Sequence, residues 1–151
     1  MIMHSFIKLT WADINKAVSD LSRRIVDKPE IIVTVGRGGN IPGTMLSYVL
    51  NVKTVNCFSV QSYNDDRTAS HIIVNQAPYI KSYKNILVID DLADKGTTLS
   101  YVKSYFDAKE VSPTYGTLYI KSNTTFTPDY YTKTFDANEW IEFPWDDLSS
   151  F

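Results

Sequence analysis

A chain of 151 residues, 44% apolar and 21% charged, has the make-up of one globular domain, long enough to bury roughly 68–70% of the surface its unfolded form exposes. Fifteen Lys and Arg against seventeen Asp and Glu leave a net charge of -2, which excludes a whole-molecule positive field for nucleic acid or anionic membranes. One cysteine, Cys57, and two histidines exclude an internal disulfide and a Cys/His zinc site; with no apolar run of membrane-spanning length and no signal-peptide pattern at the start, a cytoplasmic protein is expected.

Thr10 and Asp13 have capping-box spacing, and Ile14, Ala17, Val18, Leu21 and Ile25 recur on one helical face. A helix over residues 11–26 is predicted. Asp27, Lys28 and Pro29 break it, and the β-branched run from Ile31 to Val35 is too short for a helix and too apolar for an exposed strand, so it reads as a buried strand. Gly36-Arg37-Gly38-Gly39 follows as a loop, and Pro42 suits the first turn of a short helix carrying Met45, Leu46, Val49 and Leu50. Residues 54–60 read as a strand, residues 61–70 as a polar mobile loop of neither period, and residues 71–74 as a short returning strand. Ile86 to Ile89 is a second buried run that stops at Asp90-Asp91. Helical spacing resumes near Thr98, with Leu99, Val102 and Phe106 on one side, and residues 115–120 and 130–135 read as two later strands. The tail from Asn138, with Trp140, Pro144 and Trp145, shows little regularity. Buried strands alternating with helices predict an α/β fold, one domain over residues 1–151, with a mostly parallel twisted sheet flanked by helices and ligands beyond the carboxyl ends of its strands.

Two loops occupy such ends. Gly36-Arg37-Gly38-Gly39-Asn40 begins like a dinucleotide fingerprint, but its third glycine would fall at Ile41, so that reading fails. Its glycines allow close backbone approach and Arg37 adds a fork of donors, which together suit a phosphate or pyrophosphate. The second loop, Asp90-Asp91-Leu92-Ala93-Asp94-Lys95-Gly96-Thr97-Thr98, places three carboxylates ahead of a cation, a glycine, two hydroxyls and a helix start. Acceptors followed by donors match a ligand with a diol or a metal at one end and a phosphate at the other. The lysine precedes the glycine, unlike a Walker loop. No nucleophile elbow surrounds Ser5, Ser59 or His71, and Cys57 reads as a small core residue. The twenty aromatics lack a basic stripe, so packing and an oligomer interface explain them better than nucleic acid does.

Ile86 to Leu99, ILVIDDLADKGTTL, resembles the phosphoribosyl-diphosphate (PRPP) motif of the type I phosphoribosyltransferases. Thr10-Trp11, Gly36-Arg37-Gly38-Gly39 with Pro42-Gly43, Ser62-Tyr63, Lys121 and the segment Trp140-Ile141-Glu142-Phe143-Pro144-Trp145-Asp146 follow the order seen in the bacterial xanthine-guanine members, so the similarity spans nearly the whole chain. The resemblance implies a type I phosphoribosyltransferase fold with a flexible catalytic loop over 61–75 and a small C-terminal base-binding hood over 136–151. It implies transfer of ribose 5-phosphate from PRPP to guanine, xanthine or hypoxanthine, with release of pyrophosphate and a purine mononucleotide, Mg2+ as cofactor, and a homodimer or homotetramer. Arg37, Gly38 and Gly39 would hold the diphosphate, and the family's cis peptide would fall at Gly36-Arg37. Asp90 and Asp91 would face ribose and metal, with Asp91 the metal residue; Lys95, Gly96, Thr97 and Thr98 would hold the 5-phosphate. Asp94 would move a proton at purine N7, with Arg37 the other catalytic residue. Lys121 would donate to the 6-oxo group, Trp140 would stack on the base, and the Ile141 carbonyl, or less directly Glu142 or Asp146, would meet the 2-substituent. Ser62, Tyr63 and Arg67 would belong to the flexible loop. Lys95 and Thr97 stand where Thr and Gly are common in the family. The alternatives are a non-catalytic PRPP-sensing regulator and a phosphoribosyltransferase for another base.

Overall fold

The computed structural model describes residues 4–65, 68–80 and 82–150. Its elements run β1 (Ser5–Lys8), α1 (Trp11–Arg24), β2 (Ile31–Val35), α2 (Gly36–Val49), β3 (Val55–Asp65), β4 (Thr68–Gln76), β5 (Ile86–Ala93), α3 (Thr97–Asp107), β6 (Thr114–Lys121), β7 (Lys133–Phe135) and β8 (Glu139–Glu142), then two 3-10 turns at Pro144–Asp146 and Leu148–Ser150. Six strands form the main sheet in the order β4-β3-β2-β5-β6-β7, and β1 pairs with β8 in a second, two-stranded sheet. Every pairing is parallel except that of β3 with β4.

All five residues of β2 are buried, and alternate residues serve opposite faces. Ile32 of β2, with Leu87 and Ile89 of β5, packs under Ile14, Ala17, Val18 and Leu21 of α1 and Leu46 of α2. Ile31, Val33, Val35, Ile86 and Val88 pack with Leu99, Val102 and Phe106 of α3 on the other side. A strand with two buried faces has no polar partner in its alternation, which is why β2 and the start of β5 stand out in the sequence as unbroken apolar runs. The capping box is in place: Asp13 N–H donates to Thr10 Oγ1 at 3.2 Å and Thr10 N–H to Asp13 Oδ2 at 2.7 Å.

Several expectations change. The glycines Gly36 to Gly39 are not a loop but the first turn of α2, so Pro42 sits inside the helix and leaves the Gly38 carbonyl without its usual donor. No described peptide is cis, Gly36-Arg37 included; Gly36 turns the chain with a φ of 57°. Residues 61–65 and 68–70, expected to be irregular, are arms of the antiparallel β3–β4 hairpin. β4 is an edge strand whose partner β3 leaves Gln61 and Ser62 exposed, so neither strand needs a buried apolar stripe there and no period reaches the sequence. β5 does not stop at the acidic pair; β6 continues beside it, pairing Asp90 with Thr117, Leu92 with Tyr119 and Ala93 with Ile120. β1 and β8 carry no local sequence signal, because each is four residues long and finds its partner more than 130 residues away. Smaller shifts occur at α1, which ends at Arg24, and β7, which begins at Lys133. Among the described residues no helix is long and apolar enough to cross a membrane.

Thr10→Ala removes the cap of α1 and is expected to cost about 1 kcal/mol. A lower urea midpoint with an unchanged slope is the readout.

Candidate active site

β2 and β5 lie side by side and parallel, and each is followed directly by a helix, α2 or α3. Two helix starts therefore stand next to each other at the carboxyl edge of the sheet. Neither has a side-chain cap: Val35 precedes α2, and Gly96, with a left-handed φ of 91°, precedes α3. The first amides of both helices are left for solvent or a ligand, and both carry the positive end of a helix dipole. Gly96 is held from behind, where Thr125 donates its hydroxyl to the Lys95 carbonyl at 2.7 Å and its N–H at 3.1 Å. A side chain on Gly96 would lie 2.7 Å from the Phe126 nitrogen, so only glycine fits this turn in both space and φ.

Two clefts with lining residues in common open at this edge. The smaller, about 190 Å³, is lined by Ser62, Asp90 and the run from Leu92 to Leu99. The larger, about 1020 Å³, is lined by Gly36, Arg37, Gly38, Ile41 and residues 59–62, with Asp90, Asp91, Thr98, Trp145, Asp146 and Leu148. Ser62, Asp90 and Thr98 border both. All but one of the predicted diphosphate, ribose and 5-phosphate residues, Gly39 being the exception, thus line these two clefts, with Arg37, Asp94, Lys95 and Thr97 exposed.

The glycines of α2 have a reason the sequence reading missed. A Cβ on Gly38 would overlap the Asp91 carboxylate, and one on Gly39 would come within 2.5 Å of the Ile89 carbonyl oxygen. Both glycines let the first turn of α2 close onto the end of β5. Gly39 is buried there and lines neither cleft, which separates it from Gly38.

Burial and the neighbouring Asp91 charge push the Asp90 carboxyl well above the usual carboxylate range. Asp91 is raised as well, chiefly by burial and further by Asp146, although the Asp90 carboxyl and the Leu92 N–H, donating at 2.7 Å, offset part of the shift. The two acids are costly to charge without a partner, and their donor chemistry fits a hard divalent cation or a pair of sugar hydroxyls.

The base residues stand apart from these walls. Lys121 is buried, with its ammonium donating to the backbone carbonyls of Asp136 and Glu139, the residue before Trp140. Trp140 is 64% exposed on β8, and Ile141 packs inward against the core. None of the three lines either cleft. Tyr63 pairs its backbone with His71, while its side chain and the whole of Arg67 lie outside the described residues. Trp145 and Leu148 were not foreseen as cleft residues. Trp145 stacks on Phe143 at 4.7 Å and tilts against Trp11 at 5.9 Å, so the wall it forms depends on contacts remote in sequence.

Sheet order, paired helix starts and acidic strand end together define a phosphoribosyltransferase. The family described as phosphoribosyl transferase domain matches residues 7–147, and the chain belongs to it. Among its relatives are the xanthine-guanine phosphoribosyltransferases of Cereibacter sphaeroides, 33% identical over 117 residues (76% of this chain, 68% of that one), and of Idiomarina loihiensis, 26% identical over 141 residues (91% and 85%). The Helicobacter pylori xanthine-guanine-hypoxanthine phosphoribosyltransferase superposes with a TM-score of 0.83 at 27% identity, covering 97% of this chain and 99% of that one. A purine phosphoribosyltransferase from Pyrococcus horikoshii gives 0.81, also at 27%, covering 97% and 96%. The main sheet and its helices are the type I phosphoribosyltransferase fold.

Asp90→Asn is expected to raise the thermal midpoint of the ligand-free protein at neutral pH, because it removes a buried charge whose folded-state pKa lies above its ordinary 3.8. The gain should vanish as the pH falls and the native carboxyl takes up its proton. A lower midpoint at neutral pH would mean that the charged pair is stabilising.

Proposed function

We propose that the chain is a 6-oxopurine phosphoribosyltransferase of purine salvage, which joins the ribose 5-phosphate of PRPP to guanine, xanthine or hypoxanthine and releases pyrophosphate. The observation that carries this reading is the pair of clefts sharing Ser62, Asp90 and Thr98, which sets Arg37 and the uncapped start of α2 at the same edge as Asp90, Asp91 and the uncapped start of α3. A ligand with phosphate groups at both ends of a diol-bearing sugar satisfies both helix starts and the acidic strand end at once.

The diphosphate is assigned to Arg37 and the Gly38 amide, with Gly39 shaping the turn. Arg37 stabilises the charge that grows on the departing pyrophosphate. Lys95, Gly96, Thr97 and Thr98 hold the 5-phosphate; Lys95, where the family commonly has Thr, adds a cation beside the amides. Asp90 and Asp91 accept from the ribose hydroxyls, and Asp94 holds or returns the proton at purine N7. Mg2+ fits beside Asp91, where it would neutralise charge on the diphosphate. Among the described residues no group of three or more acidic, His or Cys side chains is placed to hold a metal, so most of its ligands would come from substrate and water. Lys121 is assigned to the 6-oxo group, which requires its ammonium to exchange the Asp136 and Glu139 carbonyls for the base; it would meet a donor in adenine, which disfavours that base. Trp140 supplies the stacking face, and the Ile141 carbonyl accepts from a 2-amino group. The hairpin carrying Ser62 and Tyr63 takes the part of the flexible loop, and residues 136–151 that of the hood. Exposed Tyr48 and Val49 on α2 support a homodimer or homotetramer, and the single cysteine supports a cytoplasmic setting.

With Mg2+ and PRPP present, guanine, xanthine and hypoxanthine should turn over, and adenine and orotate should not. Product with none of the five bases would favour the sensor reading, and product with orotate alone would favour another base. Arg37→Ala should slow turnover by about 10²–10³; a tenfold or smaller loss removes it from charge stabilisation. Asp94→Asn should lower kcat with PRPP binding retained by calorimetry, and an unchanged kcat would remove it from proton transfer.

A further inference from the structure

β6 ends at Lys121, and a tight turn, closed by the Thr124 N–H on the Lys121 carbonyl at 3.1 Å, brings Thr125 against the Lys95-Gly96 peptide. Phe126 anchors this turn by packing edge-on against Tyr115 of β6 at 5.2 Å. Thr125 gives the Lys95 carbonyl both its hydroxyl, at 2.7 Å, and its N–H, at 3.1 Å. The hydroxyl lies so close to Gly96 that a Cβ there would come within 2.8 Å of it. Neither Thr125 nor Phe126 lines a cleft, whereas Lys95, Gly96 and Thr97 line the smaller one, so the turn supports the start of α3 from behind.

A trans peptide points its carbonyl and the following N–H to opposite sides, and no described peptide is cis. With the Lys95 carbonyl drawn to Thr125, the Gly96 N–H is turned away from Thr125. Gly96 is buried, and among the described residues nothing accepts from this N–H; a buried donor with no acceptor in the fold is costly until a ligand takes it. Successive N–H groups converge on an anion where neighbouring residues differ in handedness, as left-handed Gly96 and helical Thr97 do. The Gly96 carbonyl accepts the Ser100 N–H at 2.9 Å, so both peptide planes that meet at Gly96 are pinned. Glycine needs this pinning: without a Cβ it reaches many φ values, and a rotated Lys95-Gly96 peptide would present a carbonyl oxygen in place of the donor.

We infer that Thr125 is a positioning residue for the 5-phosphate: by holding the Lys95 carbonyl from behind, it keeps the Gly96 N–H aimed into the smaller cleft as one more donor beside the first amides of α3. This rests on the 5-phosphate assignment above and deepens it, adding a residue that touches no substrate and lies outside the stretch from Asp90 to Thr98. Thr125 is exposed, and its hydroxyl has no other partner among the described residues, so losing that hydroxyl leaves the core as it is.

The test is calorimetric binding of ribose 5-phosphate and of pyrophosphate, each with Mg2+, to the unaltered protein, to Thr125→Val, which keeps the shape without the hydroxyl, and to Thr125→Ser, which keeps the hydroxyl. Thr125→Val is expected to raise the Kd of ribose 5-phosphate by about threefold to tenfold, the range for one hydrogen bond between neutral groups, with that of pyrophosphate unchanged; Thr125→Ser should bind both as the unaltered protein does. An equal rise for both ligands would make Thr125 a general support of the fold, an unchanged Kd for ribose 5-phosphate would show that the Gly96 N–H does not depend on it, and a Thr125→Ser protein no better than Thr125→Val would trace the loss to packing. Any of the three overturns the inference while the 5-phosphate assignment stands. Failure of the unaltered protein to bind ribose 5-phosphate would overturn that assignment first and this inference with it.

Discussion

Close contact between the first turn of α2 and the end of β5 governs how this site is built. With Asp91 against Gly38 and the Ile89 backbone against Gly39, the helix start is brought to the strand end at a distance no larger side chain permits. The same contact keeps the acidic pair partly out of water and beside uncapped amides. Neither feature favours the folded chain alone, since two neighbouring carboxylates repel and open helix ends leave donors unpaired. A ligand that brings anionic groups to the amides and hydroxyls or a cation to the acids relieves both at once, which is how a fold's local cost becomes selectivity for one kind of molecule.

The adjacency of β2 and β5 is what allows this doubling. In an open parallel sheet each strand delivers its following helix start to the same edge, and two neighbouring strands deliver two starts within the span of one sugar phosphate. The two strands of the main sheet beyond β5 and the β3–β4 hairpin then act mainly as flanks: β6 holds β5 straight through its acidic residues, and the hairpin brings Ser62 to the cleft from the other side.

What was legible in the sequence follows from this geometry. β2, the start of β5, α1 and α3 announce themselves because burial on one or two faces imposes a period or an apolar run within a few residues, and most of the wall of the smaller cleft lies in one continuous stretch of sequence. The glycine turn was readable as residues but not as structure: three glycines in four positions suggest a loop by propensity, whereas packing on β5 makes them the start of a helix, a tertiary contact overriding local preference. The run of β5 through Asp90 and Asp91 was hidden for the same reason, since only the neighbouring β6 keeps charged residues extended.

The residues proposed for the base differ in kind from those proposed for the phosphates. Lys121 comes from the close of β6, Trp140 from β8 and the cleft residue Trp145 from a 3-10 turn steadied by Trp11, so no window of sequence contains more than a part of them. Their cohesion is long-range: β1 pairs with β8, Lys8 grips Asp147, and the Lys121 ammonium is satisfied by backbone carbonyls of the residues leading into β8. A 5-phosphate site encoded in one segment, as proposed for residues 95–98, resists change, because altering any residue disturbs neighbours that share its turn. A base site assembled from separate segments, as proposed, can exchange one contributor while the others stay in place, provided the exchanged residue sits on a surface the fold already exposes. Trp140 meets that condition: it lies outward on β8 while its neighbour Ile141 carries the packing, so its side chain can vary with little cost to the core.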